Sequence, residues 1–384
     1  MHKVLHISKY YPPFTGGIET VAYNVVSALK KSGGYEQFVF CFNEGKNTEK
    51  GTIDDVPVFR VGSEKKISSQ ALNKKYGFYL NKVYDEFKPD IIHFHFPNPF
   101  ACYFLLKLLK KKDFKGKLIV HYHCDIIKQK ILKILFIKQT KDLLDKADLI
   151  LATSPAYLKD TDFLPNYKEK VKVVPLCIGK ERTHITDEQK AKENNIKERY
   201  LGKKIVFFFG RHTEYKGLRY LIDADQYLNQ NQIQIVIAGK GELTDELKEK
   251  ARKYSNIEFV GRLSDYDINT YLMACDVFAF PSISRNEAFG ISLAEAVYFG
   301  KPACTFTIPG SGVNWVCRNN EEGLEAPNRD VKAYADNITR LINDDEFYKI
   351  LSANSQARSS LFTIKCFFDG IESSYINLYK GDKN

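Results

Sequence analysis

Short apolar runs alternate with segments of helical period along this chain, stop at a polar stretch, and then begin again. No other feature constrains the fold as tightly. In the first half, Lys3–Ser8, Gln37–Phe42, Pro57–Val61, Asp90–Phe96, Lys117–His123, Asp148–Ser154 and Val171–Ile178 read as strands. Between the first two, Ile18–Lys31 carries apolar residues at 18, 21, 22, 25, 26 and 29 and runs out at Gly33-Gly34, the period and the stop of a helix. Helices fall between most of the other strands. Buried strands separated by helices predict a parallel sheet covered on both faces.

Residues 179–201 are polar and charged and read as a linker that is partly helical. The alternation restarts with strands at Lys204–Gly210, Gln232–Gly239, Asn256–Gly261, Asp276–Pro281 and Pro302–Thr307. Helices are expected at Leu218–Asn229, Thr244–Tyr254, Asp265–Ala274 and Gly290–Phe299. With 384 residues, 44% of them hydrophobic, the chain is long enough for two cores. The predicted architecture is α/β: Rossmann-like domains at 1–180 and 181–360 face one another across a cleft. Residues 361–384 hold a helix, Ile364–Tyr379, that can pack back on the first domain. Open parallel sheets hold ligands at the carboxyl ends of their strands.

The N-terminus runs from Met1 to Tyr10 without an apolar core and into Tyr11-Pro12-Pro13, unlike a signal peptide. No apolar run approaches the roughly 20 residues that span a bilayer. A cytoplasmic protein is expected, and eight cysteines without Cys-x-x-Cys spacing fit buried thiols in a reducing compartment. The net charge of +10 is uneven: residues 101–146 hold twelve Lys and four Asp, mostly in Phe100–Lys117 and Ile126–Lys141. Two readings of these segments stand side by side. One is a face that leans on anionic membrane lipid, peripherally. The other is ordinary helices with a solvated Lys face. No recognition module for nucleic acid accompanies them, so none is expected as a partner.

The chemistry concentrates at strand tips. After the strand ending at Pro281 comes Arg285-Asn286-Glu287-Ala288-Phe289-Gly290-Ile291-Ser292-Leu293-Ala294-Glu295, with two glutamates eight residues apart. Gly290 and Ile291 mark a helix start, whose free N–H groups suit a phosphate. Carboxylates before and inside the helix suit sugar and ribose hydroxyls. The turn Phe209-Gly210-Arg211-His212-Thr213-Glu214-Tyr215-Lys216-Gly217 places Arg211 and Lys216 at another strand tip, where they can grip and neutralise a diphosphate. Tyr11–Glu19 joins the first strand to the first helix, and Gly16-Gly17 there let a backbone approach a ligand. Each of these turns taken singly also reads as a plain surface turn.

His93-x-His95 and His121-x-His123 each put two histidines on one strand face. Four histidines are enough for a metal, but no carboxylate or cysteine cluster accompanies them at ligand spacing. Structural histidines are the plainer reading, with His123, at a strand end before Cys124-Asp125, the one best placed to touch a substrate. Gly239-Lys240-Gly241 lacks the third glycine of a dinucleotide loop. Asp223 and Asp225, inside a predicted helix, share no face and read as surface charge.

Taken together, YPPFTGGIE, HCDI, FGRHTEYKG and EAFGISLAEA, in this order, resemble the family 4 glycosyltransferases, retaining enzymes of the GT-B fold. The likeness extends through TSPAYLKDTDFLP and PGSGVNWVCRNNEEGLEAP, and it is strongest to bacterial surface-polysaccharide enzymes of mannosyl and rhamnosyl type. The chain departs from the family's Pro-Leu-Gly-Ile-Asp with Pro175-Leu176-Cys177-Ile178-Gly179. The resemblance implies that Gly16 and Gly17 border the diphosphate, that Arg211 and Lys216 bind it, and that Glu287 holds the donor sugar. Backbone N–H groups of Phe289, Gly290 and Ile291 would lie near the phosphate. Glu295 would bind the ribose, Leu263 would line the base pocket, and His123 would lie beside donor sugar and acceptor. No cofactor or metal is expected: the substrate is a GDP- or UDP-linked sugar, GDP-mannose by subfamily likeness. The acceptor is a glycan, lipid-linked if the basic apolar face meets a membrane, in O-antigen or capsule synthesis. Other activities remain open beside this one: a nucleotide-sugar epimerase or hydrolase, a non-catalytic nucleotide-sugar-binding partner of an assembly complex, and a metal enzyme built on the four histidines.

Overall fold

Ten strands lie in the first part of the computed structural model, which describes residues 1–14, 16–67, 70–125 and 133–379. They are β1 (His2–Ile7), β2 (Tyr35–Phe42), β3 (Glu49–Ile53), β4 (Val56–Val61), β5 (Lys65–Ile67), β6 (Gln70–Leu72), β7 (Ile91–Phe96), β8 (Lys117–Tyr122), β9 (Leu149–Ala152) and β10 (Val171–Val173). Eight of them form one sheet in the order β10-β9-β8-β7-β1-β2-β4-β3. All neighbours are parallel except β3 and β4. β5 and β6 make a separate antiparallel pair. The segment Ile126–Lys141 of the sequence reading lies partly outside the described residues, as does Thr15.

Helix Gly17–Ser32 buries Val21, Ala22, Val25, Val26 and Leu29, five of the six positions its apolar period marks, while Ile18 is half-buried. Val26 and Ala22 pack with Tyr11, Val39, Cys41, Val56 and Val58. Antiparallel β3 has no counterpart in the sequence reading. Its residues Glu-Lys-Gly-Thr-Ile are mostly exposed and carry no alternation. What forms it is the turn: Asp54 and Asp55 both take positive φ, 47° and 63°, the geometry of a two-residue hairpin.

The chain divides into two units, Met1–Pro175 with Phe367–Asn384, and Leu176–Cys366. In the second, β11 (Lys204–Phe209), β12 (Ile233–Ala238), β13 (Ile257–Gly261), β14 (Val277–Phe280), β15 (Ala303–Phe306) and β16 (Gly323–Ala326) form a parallel sheet ordered β13-β12-β11-β14-β15-β16. Both units are thus Rossmann-like α/β layers. In each, the strand order reverses once near the middle: between β1 and β7, and between β11 and β14. A reversal splits the loops to opposite faces and leaves a crevice at the carboxyl ends.

The stretch read as a linker is folded. Thr186 caps helix Asp187–Arg199 reciprocally with Gln189, and Gln189 Nε2 also donates to the Tyr266 carbonyl at 3.1 Å. The helix is polar because only Gln189 and Ile196 are buried, so its composition mimics a connector. Asp225 is also corrected. It is fully buried, accepting from Asn256 Nδ2 at 2.7 Å and Gln230 Nε2 at 2.9 Å, while Asp223 is surface charge paired to Lys250 at 2.7 Å. Strand β16 and helices Val331–Asn343 and Asp345–Arg358 complete the unit beyond the predicted elements. All eight cysteines are free thiols, with Cys124 and Cys366 half-buried and the others buried.

Candidate active site

The loops after β11 and β14 meet at the reversal of the second sheet. Gly217 makes this contact possible: its φ is +64°, and a Cβ there would stand 2.0 Å from the Pro281 carbonyl oxygen. The Ile283 amide donates to the Tyr215 carbonyl at 2.9 Å. With the loops locked in this way, Lys216 Nζ forms an ion pair with Glu287 Oε2. Both residues are buried, at 8% and 9% exposure. Burial pulls the Lys216 ammonium down, but the Glu287 carboxylate outweighs it, so the net shift is upward and the lysine stays charged. Its Nζ also lies 5.1 Å from the centre of the Phe280 ring.

Glu287 is held from two further sides. Ser282 Oγ donates to its carboxylate at 3.2 Å, and Ser311 Oγ donates to its carbonyl. The Gly312 amide donates to Ala288 at 2.8 Å. Neither Ser282 nor Ser311 figures in the sequence reading. Ser311 sits in Pro309-Gly310-Ser311-Gly312, a turn signal that marks a loop without saying which loop it braces. Gly290, at φ +86°, opens helix Ile291–Tyr298 without a side-chain cap. The first N–H groups of the helix are therefore left for a ligand, and the helix dipole adds positive potential. Phe289 contributes only backbone here, because its ring packs against Trp315 and Phe362, 6.2 and 5.8 Å away.

Arg211 is exposed on the same loop as Lys216; burial raises the Tyr215 phenol, and the charges of Lys216 and Arg211 hold that shift down. The loop is tied to its other neighbour as well. His212 Nδ1 lies 3.0 Å from Thr244 Oγ1, and its amide donates to the Lys240 carbonyl at 3.2 Å. The Gly239-Lys240-Gly241 turn thus serves as a brace: a Cβ on Gly241 would lie 2.2 Å from the His212 carbonyl oxygen. Leu263 follows β13, half-buried.

Glu295 is the residue whose setting departs most from expectation. Its carboxylate meets buried Arg182, with Nε 3.1 Å from Oε1, close enough for an ion pair but out of line for a hydrogen bond. Arg182 also holds Asp265 at 2.9 Å. Burial outweighs Arg182 and pushes the Glu295 carboxyl up to about 7. Arg182 lies in the supposed linker, so sequence position hid it.

In the first unit Gly16 precedes helix Gly17–Ser32 in extended conformation, and a Cβ there would meet Glu19 Oε2 at 2.3 Å. Five histidines, His6, His93, His95, His121 and His123, share one face of β1, β7 and β8, all buried. His93, His95 and His121 bring ring nitrogens within 4.8 Å of one another. The ring planes of His93 and His95 lie 20° apart and those of His95 and His121 23° apart, while His93 and His121 are tilted by 43°. Tyr375, from helix Ile364–Leu378, closes the stack, its hydroxyl 2.6 Å from His93 Nδ1. His123 holds the carboxyl end: its Nε2 is 3.1 Å from His95 Nδ1, and its carbonyl accepts from Tyr157 at 3.0 Å.

Comparison with known proteins matches this geometry to a family. The family model described as Glycosyltransferase Family 4 matches residues 15–182, and the one described as Glycosyl transferases group 1 matches residues 189–358. The O-antigen chain mannosyltransferase C of Escherichia coli is 32% identical over 381 residues, covering 98% of both chains. The D-rhamnosyltransferase WbpZ of Pseudomonas aeruginosa is 30% identical over 372 residues, 94% of this chain and 92% of its own. Among solved structures, sucrose-phosphate synthase from Thermosynechococcus elongatus superposes with a TM-score of 0.81 at 18% identity, covering 99% of this chain and all of the other. Anabaena HepE in complex with UDP gives 0.79 at 18% identity, over 98% of this chain and all of the other.

Proposed function

Since the chain belongs to the family 4 glycosyltransferases, of GT-B fold, we propose that it moves a hexose from a nucleoside diphosphate sugar to a glycan hydroxyl, with retention at the anomeric carbon. The second unit holds the donor and the first supplies the acceptor side. One observation carries this reading: the buried Lys216–Glu287 pair, fixed where strand order reverses and beside an uncapped helix start. A cation there meets the diphosphate, with Arg211 beside it, and the adjacent carboxylate accepts from sugar hydroxyls.

The bond from C1 to the β-phosphate oxygen breaks early, and negative charge grows on the leaving diphosphate. Lys216, Arg211 and the N–H groups of Phe289, Gly290 and Ile291 stabilise that charge in place. The acceptor oxygen bonds to C1 on the face the diphosphate leaves, and its proton passes to a phosphate oxygen. No side-chain nucleophile is used, and the side chains provide the positive charge without a metal. Gly16 and Gly17 border the diphosphate, Leu263 lines the base pocket, and His123 meets the sugar. Glu295 reaches the ribose by exchanging its ion pair for hydroxyls.

The name of the O-antigen relative supports a surface-polysaccharide acceptor and mannose as the sugar moved, for which GDP-mannose is the proposed donor. A peripheral position at the inner face of the cell membrane fits the helix Pro99–Lys111, which exposes Tyr103, Lys107, Lys110 and Lys111, with Lys107 Nζ 4.4 Å from the Tyr103 ring. Among the described residues no helix is long and apolar enough to cross a membrane. The test incubates a panel of nucleotide sugars with enzyme and a lipid-linked oligosaccharide mimic, following released nucleotide and glycosylated product. Nucleotide release without acceptor would favour the hydrolase reading, and no release with any donor would remove the transferase.

A further inference from the structure

The histidine stack determines which nitrogen of His123 carries its proton. His95 and His123 face each other across 3.1 Å through Nδ1 and Nε2, and one of the two must donate. If His123 donates, His95 accepts at Nδ1 and must carry its own proton on Nε2. That atom is buried without a hydrogen-bond partner. Buried N–H groups left without an acceptor are rarer in folded proteins than buried acceptors left bare, so the arrangement with fewer of them is favoured. If His95 donates, its Nε2 becomes a bare lone pair instead. His93, His95 and His121 each bring one ring nitrogen within 4.8 Å of the others, and neutral His121 bears a proton on one of its two unpartnered nitrogens.

We infer that His95 is a positioning residue that donates from Nδ1 to His123 and locks His123 as the Nδ1–H tautomer, so that His123 meets its ligand only as a hydrogen-bond donor. Tyr157 fixes the backbone of His123 from the other side through its carbonyl at 3.0 Å. His123 Nδ1 makes no hydrogen bond among the described residues. Burial pulls His123 and His95 well below the usual imidazole range, so both stay neutral at physiological pH and the tautomer is fixed by the contact alone. This rests on the proposed role of His123 beside the sugar: such a donor stabilises a sugar oxygen or phosphate and takes no proton from the acceptor hydroxyl.

The test does not begin from activity. The full chain is labelled with 15N-histidine, sedimented, and examined by magic-angle-spinning NMR near neutral pH, with His123→Gln assigning the signals. The expected spectrum shows His123 protonated at Nδ1 and bare at Nε2. Protonation at Nε2 overturns the inference. His95→Leu should populate both tautomers of His123 and lower kcat about tenfold at nearly constant donor KM, the worth of one hydrogen bond in a buried site. His95→Gln, whose amide still donates, should restore both the tautomer and most of the rate. An unchanged Nδ1–H signal in His95→Leu would overturn the lock, whereas equal rates in the two variants with both tautomers present in His95→Leu would uphold it and remove His123 from the proposed reaction.

Discussion

The five buried histidines predict that the first unit fails in mild acid. Burial holds each of them neutral: His6 is pulled down to about 4, His121 to about 3, and His93, His95 and His123 well below the usual range. An unfolded histidine titrates at about 6.5. Below that value the unfolded chain binds protons that the folded chain refuses, so stability is full above about pH 6.5 and falls as pH drops toward the folded values. Each group removes about 1.4 kcal/mol per pH unit in that window. Five together remove about 7 kcal/mol by about pH 5.5, against the 5–15 kcal/mol that holds a typical domain. Urea denaturation followed by far-UV circular dichroism between about pH 7.5 and 5.5 measures this directly. The first unit should lose cooperative unfolding at the acid end. His121→Leu replaces a ring with two unpartnered nitrogens and should reduce the slope by about a fifth. A flat stability curve over that interval, or loss delayed to below about pH 4, would refute the argument.

Four further outcomes are expected. Lys216→Ala should cut turnover by about 10²–10³, since it removes one fixed cation at the leaving group, and should cost about 3–5 kcal/mol of stability, since it strands the buried Glu287 carboxylate; released nucleotide and urea denaturation are the readouts. Gly217→Ala should cost about 1–3 kcal/mol and lose activity with it, because a Cβ at positive φ drives into the Pro281 carbonyl; thermal melts and turnover report both. Arg182→Ala strands the buried Glu295 carboxylate and should cost about 3–5 kcal/mol in chemical denaturation, whereas Arg182→Ala with Glu295→Gln should recover most of it. Because the Glu295 carboxyl is raised from 4.5 to about 7, its folded form holds a proton that the unfolded form has lost. Second-unit stability should therefore fall as pH rises across that interval, and Glu295→Gln should flatten this limb of the curve.

Much of this was legible in the chain. Helix Gly17–Ser32 follows its apolar period, and the parallel strands announce themselves because both of their faces are buried. The Arg211–Lys216 and Glu287 loops could be placed at strand tips by turn chemistry alone. Strand β3 escaped because its stability resides in two left-handed aspartates and not in its own side chains. Helix Asp187–Arg199 escaped because a helix that buries two residues looks like a connector. The Arg182–Glu295 pair spans more than a hundred residues, and nothing local to either betrays the other. The histidines were visible as pairs, but their stacking depends on register between β7 and β8, which no single strand encodes.

Tyr375 has a consequence for how the protein is made. His93 receives its hydroxyl partner from a residue 282 positions later, so the first unit lacks its closing helix until the whole second unit has been synthesised. A nascent chain would carry the β1–β10 region with an open flank while the second unit emerges and matures. Ribosome-stalled fragments ending before Phe367 should bind chaperones at that flank, and fragments long enough to release the helix that carries Tyr375 should not.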